Sequence, residues 1–255
     1  QGPHQNQADP RATRRESYAK SHWCLLMDGD AFLNVKIGGH QVSDLTGACQ
    51  KADAVLVNWK LFGTSGQTEI GDDLITERFT MAETDERITQ NLTAFKPLFR
   101  TRAFKRSGIH LPKVPLIDAP RFVNGSGLED GTFERVNWRS KDPACRSLAQ
   151  VNHYITRDLQ SFLLKRARGS ANAPNRDVGL RYWNAFNRNE APDLGLANRA
   201  KALWAEMTRL DEMADGRLLH LRAKSLRVWR ERYDEMREHP DLLMLRQAIE
   251  DSALA

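Results

Sequence analysis

No apolar run in this 255-residue chain is long enough to cross a bilayer. The longest, Trp23-Cys24-Leu25-Leu26-Met27, is about a quarter of a membrane span. Cysteine is scarce: Cys24, Cys49 and Cys145 are odd in number and show no CxxC spacing. This excludes a disulfide framework and a structural zinc site, and points to a reducing compartment. Internal repeats are lacking too. What is present is globular usage, with 40% apolar and 28% charged residues and ten Phe and six Trp spread along the chain, which rules out a solvated tail.

The net charge of +5 is unevenly placed. Residues 157–188 hold seven basic side chains against two acidic ones, whereas residues 194–255 balance at 11 against 11. So short a basic segment, with few aromatics interleaved, suits an anionic ligand of limited size better than a nucleic-acid track, and it reads equally as a solvated helix face.

Residues 1–15, rich in Gln, Asn, Pro and Arg, read as loop. Trp23–Met27 reads as a short buried strand stopped by Asp28-Gly29-Asp30, and Ala54–Trp59 as a second strand running into Phe62-Gly63-Thr64-Ser65-Gly66. A helix is expected over Val42–Lys51, and strands over Phe95–Phe99 and Ala149–Tyr154. Between the last two lies a glycine- and proline-rich stretch of the kind that carries function. From Asp158 the spacing of Leu159, Phe162 and Leu163 predicts a helix ended by Gly169, and the last sixty residues read as helices divided near Gly216.

Asp28 and Asp30 flank one glycine. Two carboxylates aimed the same way repel, and a hard divalent cation, Mg²⁺ or Mn²⁺, relieves that repulsion and can bridge to a substrate diphosphate. The same tripeptide also reads as a solvated turn. With no buried partner expected for either carboxylate, their loss is expected to leave fold stability unchanged.

WCLLMDGDAFL (Trp23 to Leu33), VLVNWKLFGTSG (Val55 to Gly66), FKPLFR (Phe95 to Arg100), His110 with Pro112, and VNHYITRDLQSFLLKRARG (Val151 to Gly169) occur in this order. Over roughly residues 16–193 this set resembles the glycosyltransferase family 2-like proteins and the related family 92. The resemblance implies an α/β chain: the C-terminal part of a GT-A-like mixed sheet, carrying a helical extension. Residues 1–22 are then an N-terminal remnant, 23–193 the catalytic part and 194–255 the extension. It implies a metal-dependent, inverting transfer from a nucleotide sugar, a UDP-sugar in the first place, to a glycan or lipid-linked acceptor. Mn²⁺ or Mg²⁺ would be held by Asp28, Asp30 and His153, with Asp28, Lys165 and Arg168 facing the donor. Trp59, Gly63, Thr64, Ser65, His110, Asn152 and Tyr154 would line the acceptor side. Ala31 departs from the family's usual Glu. The general base stays open among Glu69, Asp72, Asp118, Glu129 and Asp130.

A βαβ-type nucleotide half, on the order of a hundred residues, is expected before the DxD strand. Only 27 residues precede Asp28, so the isolated chain is expected to be inactive, with an unpaired strand edge near Trp23–Met27. The expected location is cytoplasmic, including the inner face of the membrane, with no nucleic-acid partner and with self-association through the C-terminal helices. Two alternatives stand beside this reading. One is a haloacid dehalogenase-type phosphohydrolase using Asp28 as nucleophile, although Phe32 stands where Thr or Val is usual. The other is a non-catalytic helical interaction module built on residues 194–255.

Overall fold

The computed structural model describes residues 15–85, 94–108, 110–129, 145–169 and 177–254. In chain order these form α1 (Glu16–Lys20), β1 (Trp23–Leu25), β2 (Ala31–Val35), α2 (Val42–Ala48), β3 (Ala54–Leu61), α3 (Ile75–Arg78), β4 (Met81–Ala82), β5 (Phe95–Arg100), β6 (Phe104–Arg106), β7 (Lys113–Pro115), β8 (Phe122–Asn124) and β9 (Ala149–His153). There follow α4 (Leu159–Arg168), α5 (Leu180–Phe186), β10 (Ala191–Pro192), a 3₁₀ turn (Ala197–Arg199), α6 (Ala200–Met213), α7 (Arg217–Met236) and α8 (Pro240–Leu254). The chain is mixed α/β, with a mixed sheet and C-terminal helices. It divides into two compact units: residues 1–60 with 84–153, and residues 61–83 with 154–255. The division after β9 falls at His153/Tyr154, so α6 to α8 belong with α4 and α5.

The first unit holds the sheet, in the order β1-β5-β3-β9-β2, with β8 also paired to β3. β5 runs antiparallel to β1 and β3, β2 antiparallel to β9, and β8 parallel to β3. Strand alternation sends Val55 and Val57, Leu98, Ala149 and Val151, and Ala31 and Val35 into one cluster, which α2 closes with Leu45. The opposite face of β3 and β5 packs Ala54 and Phe99 against Ala103 and Phe104. Pro97 sits inside β5 at a level where β1, whose last partner is Leu98, no longer pairs, so that side requires no donor.

β1 is shorter and more exposed than the buried strand expected there: three half-buried residues at one end of the strand order. Asp28 to Asp30 therefore form the connection to β2, a strand the sequence reading missed, and the turn is closed by Ala31 N–H donating to the Asp28 carbonyl at 3.2 Å. The helix expected over Val42–Lys51 ends at Ala48. The other expected strands are present within a residue or two of their expected ends.

In the second unit the Phe62–Gly66 turn is tied down by side chains from beyond α5. Asn187 Oδ1 accepts from Thr64 N–H and Asn189 Oδ1 from Ser65 N–H, both at 2.8 Å. Ser65 Oγ accepts from the N–H groups of Thr80 and Met81 at 2.8 Å. α4 starts on Asp158, whose carboxylate accepts from Ser161 N–H at 2.8 Å, and stops at Gly169, where φ is 79°. Its Leu159, Phe162 and Leu163 join Trp183, Tyr233 of α7 and Leu242, Leu245 and Ile249 of α8 in one core. Gly216 (φ 75°) separates α6 from α7 as expected, and a second break precedes Pro240.

A Cβ on Gly63 would stand 2.4 Å from the Arg188 carbonyl oxygen and from Asn189 Oδ1. Gly63→Ala is expected to lower stability by about 1–3 kcal/mol, the usual cost of overpacking, read from the urea midpoint. An unchanged midpoint would show that the turn is not fastened in this way.

Candidate metal centre

The apolar face of the first unit's sheet turns polar at one end. On β3 the alternation Val55, Val57 continues to Trp59; on β9, Ala149, Val151 continues to His153; on antiparallel β5, Leu98 is preceded on the same face by Lys96. Register brings these ends together, pairing Val57 with Lys96 and Ala31 with His153. The turn carrying Asp28 and Asp30 enters β2 at Ala31, beside His153.

The carboxylates of Asp28 and Asp30 and the imidazole of His153 each offer one ligand atom, and these atoms lie within 4.8 Å of one another. His153 Nε2 is 3.3 Å from Asp30 Oδ1. Trp59 meets the His153 ring edge-on at 4.2 Å between centroids and stands 6.2 Å from the His110 ring. Two oxygens and one imidazole nitrogen form a donor set that a divalent cation can use, and here Trp59 Nε1 and His153 Nδ1 are buried with no hydrogen-bond partner among the described residues.

Lys96 is the residue that sequence reading missed. Its side chain is 1% exposed, and its ammonium lies 2.8 Å from Asp28 Oδ2 and 5.9 Å from the Trp59 ring centroid. A buried ammonium needs a counter-charge, so Asp28 has a structural role as well as a candidate ligand role. This corrects the expectation that either carboxylate can be removed without cost. The signal was a lone Lys in the otherwise apolar strand Phe95-Lys96-Pro97-Leu98-Phe99.

His110 joins this group with its basicity reduced. Burial first, then the nearby Lys96 charge, push its pKa down from 6.5 to about 4.

The remaining expected site residues have other settings. Asn152 is fully buried on the face opposite His153, its carbonyl oxygen accepting from Gln150 Nε2 at 2.7 Å, and Tyr154 is 1% exposed, stacked with Phe62 at 4.7 Å. Strand alternation and core packing bury both side chains, unlike the exposed setting that an acceptor-lining role asks for. Gly63, Thr64 and Ser65 lie in the second unit's fastened turn, with Thr64 buried. Lys165 Nζ donates to the Ile155 carbonyl at 3.1 Å and faces the Tyr182 ring, while Arg168 is exposed. Among the candidate bases, Arg230 pairs with Asp72 at 2.9 Å and holds its carboxyl below the usual range. Glu129 pairs with Arg121, Glu69 and Asp118 are exposed, and Asp130 lies outside the described residues. No helix among the described residues is long and apolar enough to cross a membrane.

No family model matches the chain, and no curated protein matches it significantly.

Asp28→Asn is expected to cost about 3–5 kcal/mol in metal-free denaturant titrations, because it removes the carboxylate that meets the buried Lys96 ammonium at 2.8 Å. Asp30→Asn, which leaves the Lys96–Asp28 ion pair in place, is expected to cost far less. Equal, small losses for both would contradict the assigned ion pair.

Protonation of His110 gives a second outcome. The unfolded histidine takes its proton near 6.5 and the folded one near 4, so the unfolded state binds more protons between these values. Stability in chelator-treated buffer should therefore fall as pH is lowered through that window, and His110→Gln should flatten the fall. An equally steep acid limb in that variant would show that the limb belongs to other groups.

Proposed function

We propose that the chain carries the metal-binding part of a nucleotide-sugar-dependent glycosyltransferase of GT-A type, acting on a glycan or lipid-linked acceptor. The observation that supports this most is the convergence of Asp28, Asp30 and His153 at the polar end of a sheet face, beside an indole and a second imidazole. The resemblance carried by WCLLMDGDAFL, VLVNWKLFGTSG and VNHYITRDLQSFLLKRARG assigns the same three residues to the metal.

Asp30 faces His153 at 3.3 Å, and Asp28 is shared with Lys96. A bound Mn²⁺ or Mg²⁺ would neutralise the diphosphate of the donor, the charge that such a leaving group develops. Carboxylates favour either ion, and the imidazole shifts the preference toward Mn²⁺. The residues around the set do three things. Lys96 fixes the Asp28 carboxylate through their ion pair at 2.8 Å. Trp59 offers an apolar face and an indole N–H, a combination that suits a sugar ring. His110, neutral above pH 4, can accept or donate a hydrogen bond without adding charge.

The phosphohydrolase alternative requires Asp28 as a nucleophile at the end of a buried strand. β1 is half-buried and Asp28 holds an ammonium at 2.8 Å, which favours the ligand role.

Mn²⁺ titration followed by electron paramagnetic resonance tests the proposal, with and without UDP. Wild type is expected to bind Mn²⁺, and Asp30→Asn to weaken binding by about tenfold or more, as loss of a charged ligand does. Manganese-dependent turnover of a UDP-sugar would support the transferase reading. Unchanged Mn²⁺ affinity in the Asp30 variant would overturn the centre, and metal binding indifferent to every nucleotide would overturn the donor class.

A further inference from the structure

α7 is amphipathic in an unusual sense. One side, through Leu226, Trp229, Tyr233 and Met236, packs into the second unit's core. The opposite ridge runs Arg217, Leu221, Lys224, Val228, Arg232, a spacing of four, three, four and four that keeps all five on one line of the helix. Cation and aliphatic alternate along it. Leu221 is 58% exposed and Val228 47%, and Leu218 beside them is also exposed. Arg217, Lys224 and Arg232 have no ion pair or side-chain hydrogen bond among the described residues. The acidic groups nearest the ridge are Glu231, paired with Arg227 at 3.6 Å, and Glu235 past its end. Met213, 73% exposed, extends the apolar surface to the end of α6, next to the exposed acids Glu212 and Asp215.

We propose that this ridge docks α7 flat on an anionic lipid bilayer. Arg and Lys stems can lie along the surface with their charges at the phosphates, while Leu218, Leu221 and Val228 enter the headgroup and acyl boundary. Charge complementarity selects the partner, since three unpaired cations on one line match a negatively charged surface. The aliphatic residues between them argue against a nucleic acid, whose backbone gives leucine and valine nothing to enter, and the ridge has no aromatic for bases to stack on. A second copy of the chain fits poorly, because the seam that would continue Leu218 and Leu221 passes through Ser225, Val228, Arg232 and Glu235, of which only Val228 is apolar, and two such ridges bring like charges together. The inference stands independently of the metal centre.

The test is sedimentation of the whole chain with vesicles of phosphatidylcholine, alone or mixed with phosphatidylglycerol, at low and high salt. The expected result is binding to the phosphatidylglycerol vesicles, little to phosphatidylcholine alone, and release by salt. Each cation near an anionic surface contributes about a fivefold factor, so Arg217→Gln/Lys224→Gln/Arg232→Gln should weaken partitioning by about a hundredfold. Leu221→Ser/Val228→Ser should weaken it at both salt concentrations. All five positions are exposed, so circular dichroism should show both variants folded. Binding to neither vesicle, equal binding by the charge variant, or dimerisation or DNA binding through the ridge without vesicle binding would each overturn the proposal.

Discussion

A buried ammonium organises one end of the sheet. Lys96 enters on β5 between Phe95 and Pro97, with the aliphatic cluster at its back, and its charge is met by Asp28 from the turn that leads into β2. An uncompensated charge at that depth costs several kcal/mol, so the turn cannot drift from β5 without exposing the deficit. The connection that brings Asp28 to Lys96 also delivers Asp30 to His153, because Ala31, the next residue, is His153's partner in the β2–β9 ladder. A structural ion pair thus fixes the position of the candidate ligands.

The arrangement separates two tasks between neighbouring carboxylates. Asp28 balances a cation belonging to the fold, while Asp30 and His153 face each other 3.3 Å apart at the polar end of the same unit's sheet. Trp59 and His110 shape the surroundings by burial and ring contact, and the lowered basicity of His110 keeps further positive charge away from a set meant to attract it.

Much of this was legible in residue order. The β-branched run Ala54 to Trp59 marked a strand, the Asp28-Gly29-Asp30 turn marked paired carboxylates, and Val151-Asn152-His153 placed an imidazole on a strand. The α4 boundaries followed from Asp158 and Gly169. Three things were not legible, for separate reasons. β2 follows the turn so closely that Ala31 to Val35 reads as its continuation. Asn152 and Tyr154 look as available as His153, and only strand pairing and core packing show that one faces Gln150 and the other Phe62. Lys96 requires knowing that β5 lies beside β3 with Val57 as its partner, a long-range register that no local pattern encodes.

Electron–nuclear double resonance on the Mn²⁺-loaded chain tests the central claim most directly, because it counts nitrogen ligands without requiring turnover. The account predicts a ¹⁴N coupling from one imidazole that disappears in His153→Gln and persists in His110→Gln. Bound Mn²⁺ coupled only to water protons, or a nitrogen coupling indifferent to His153, would contradict it.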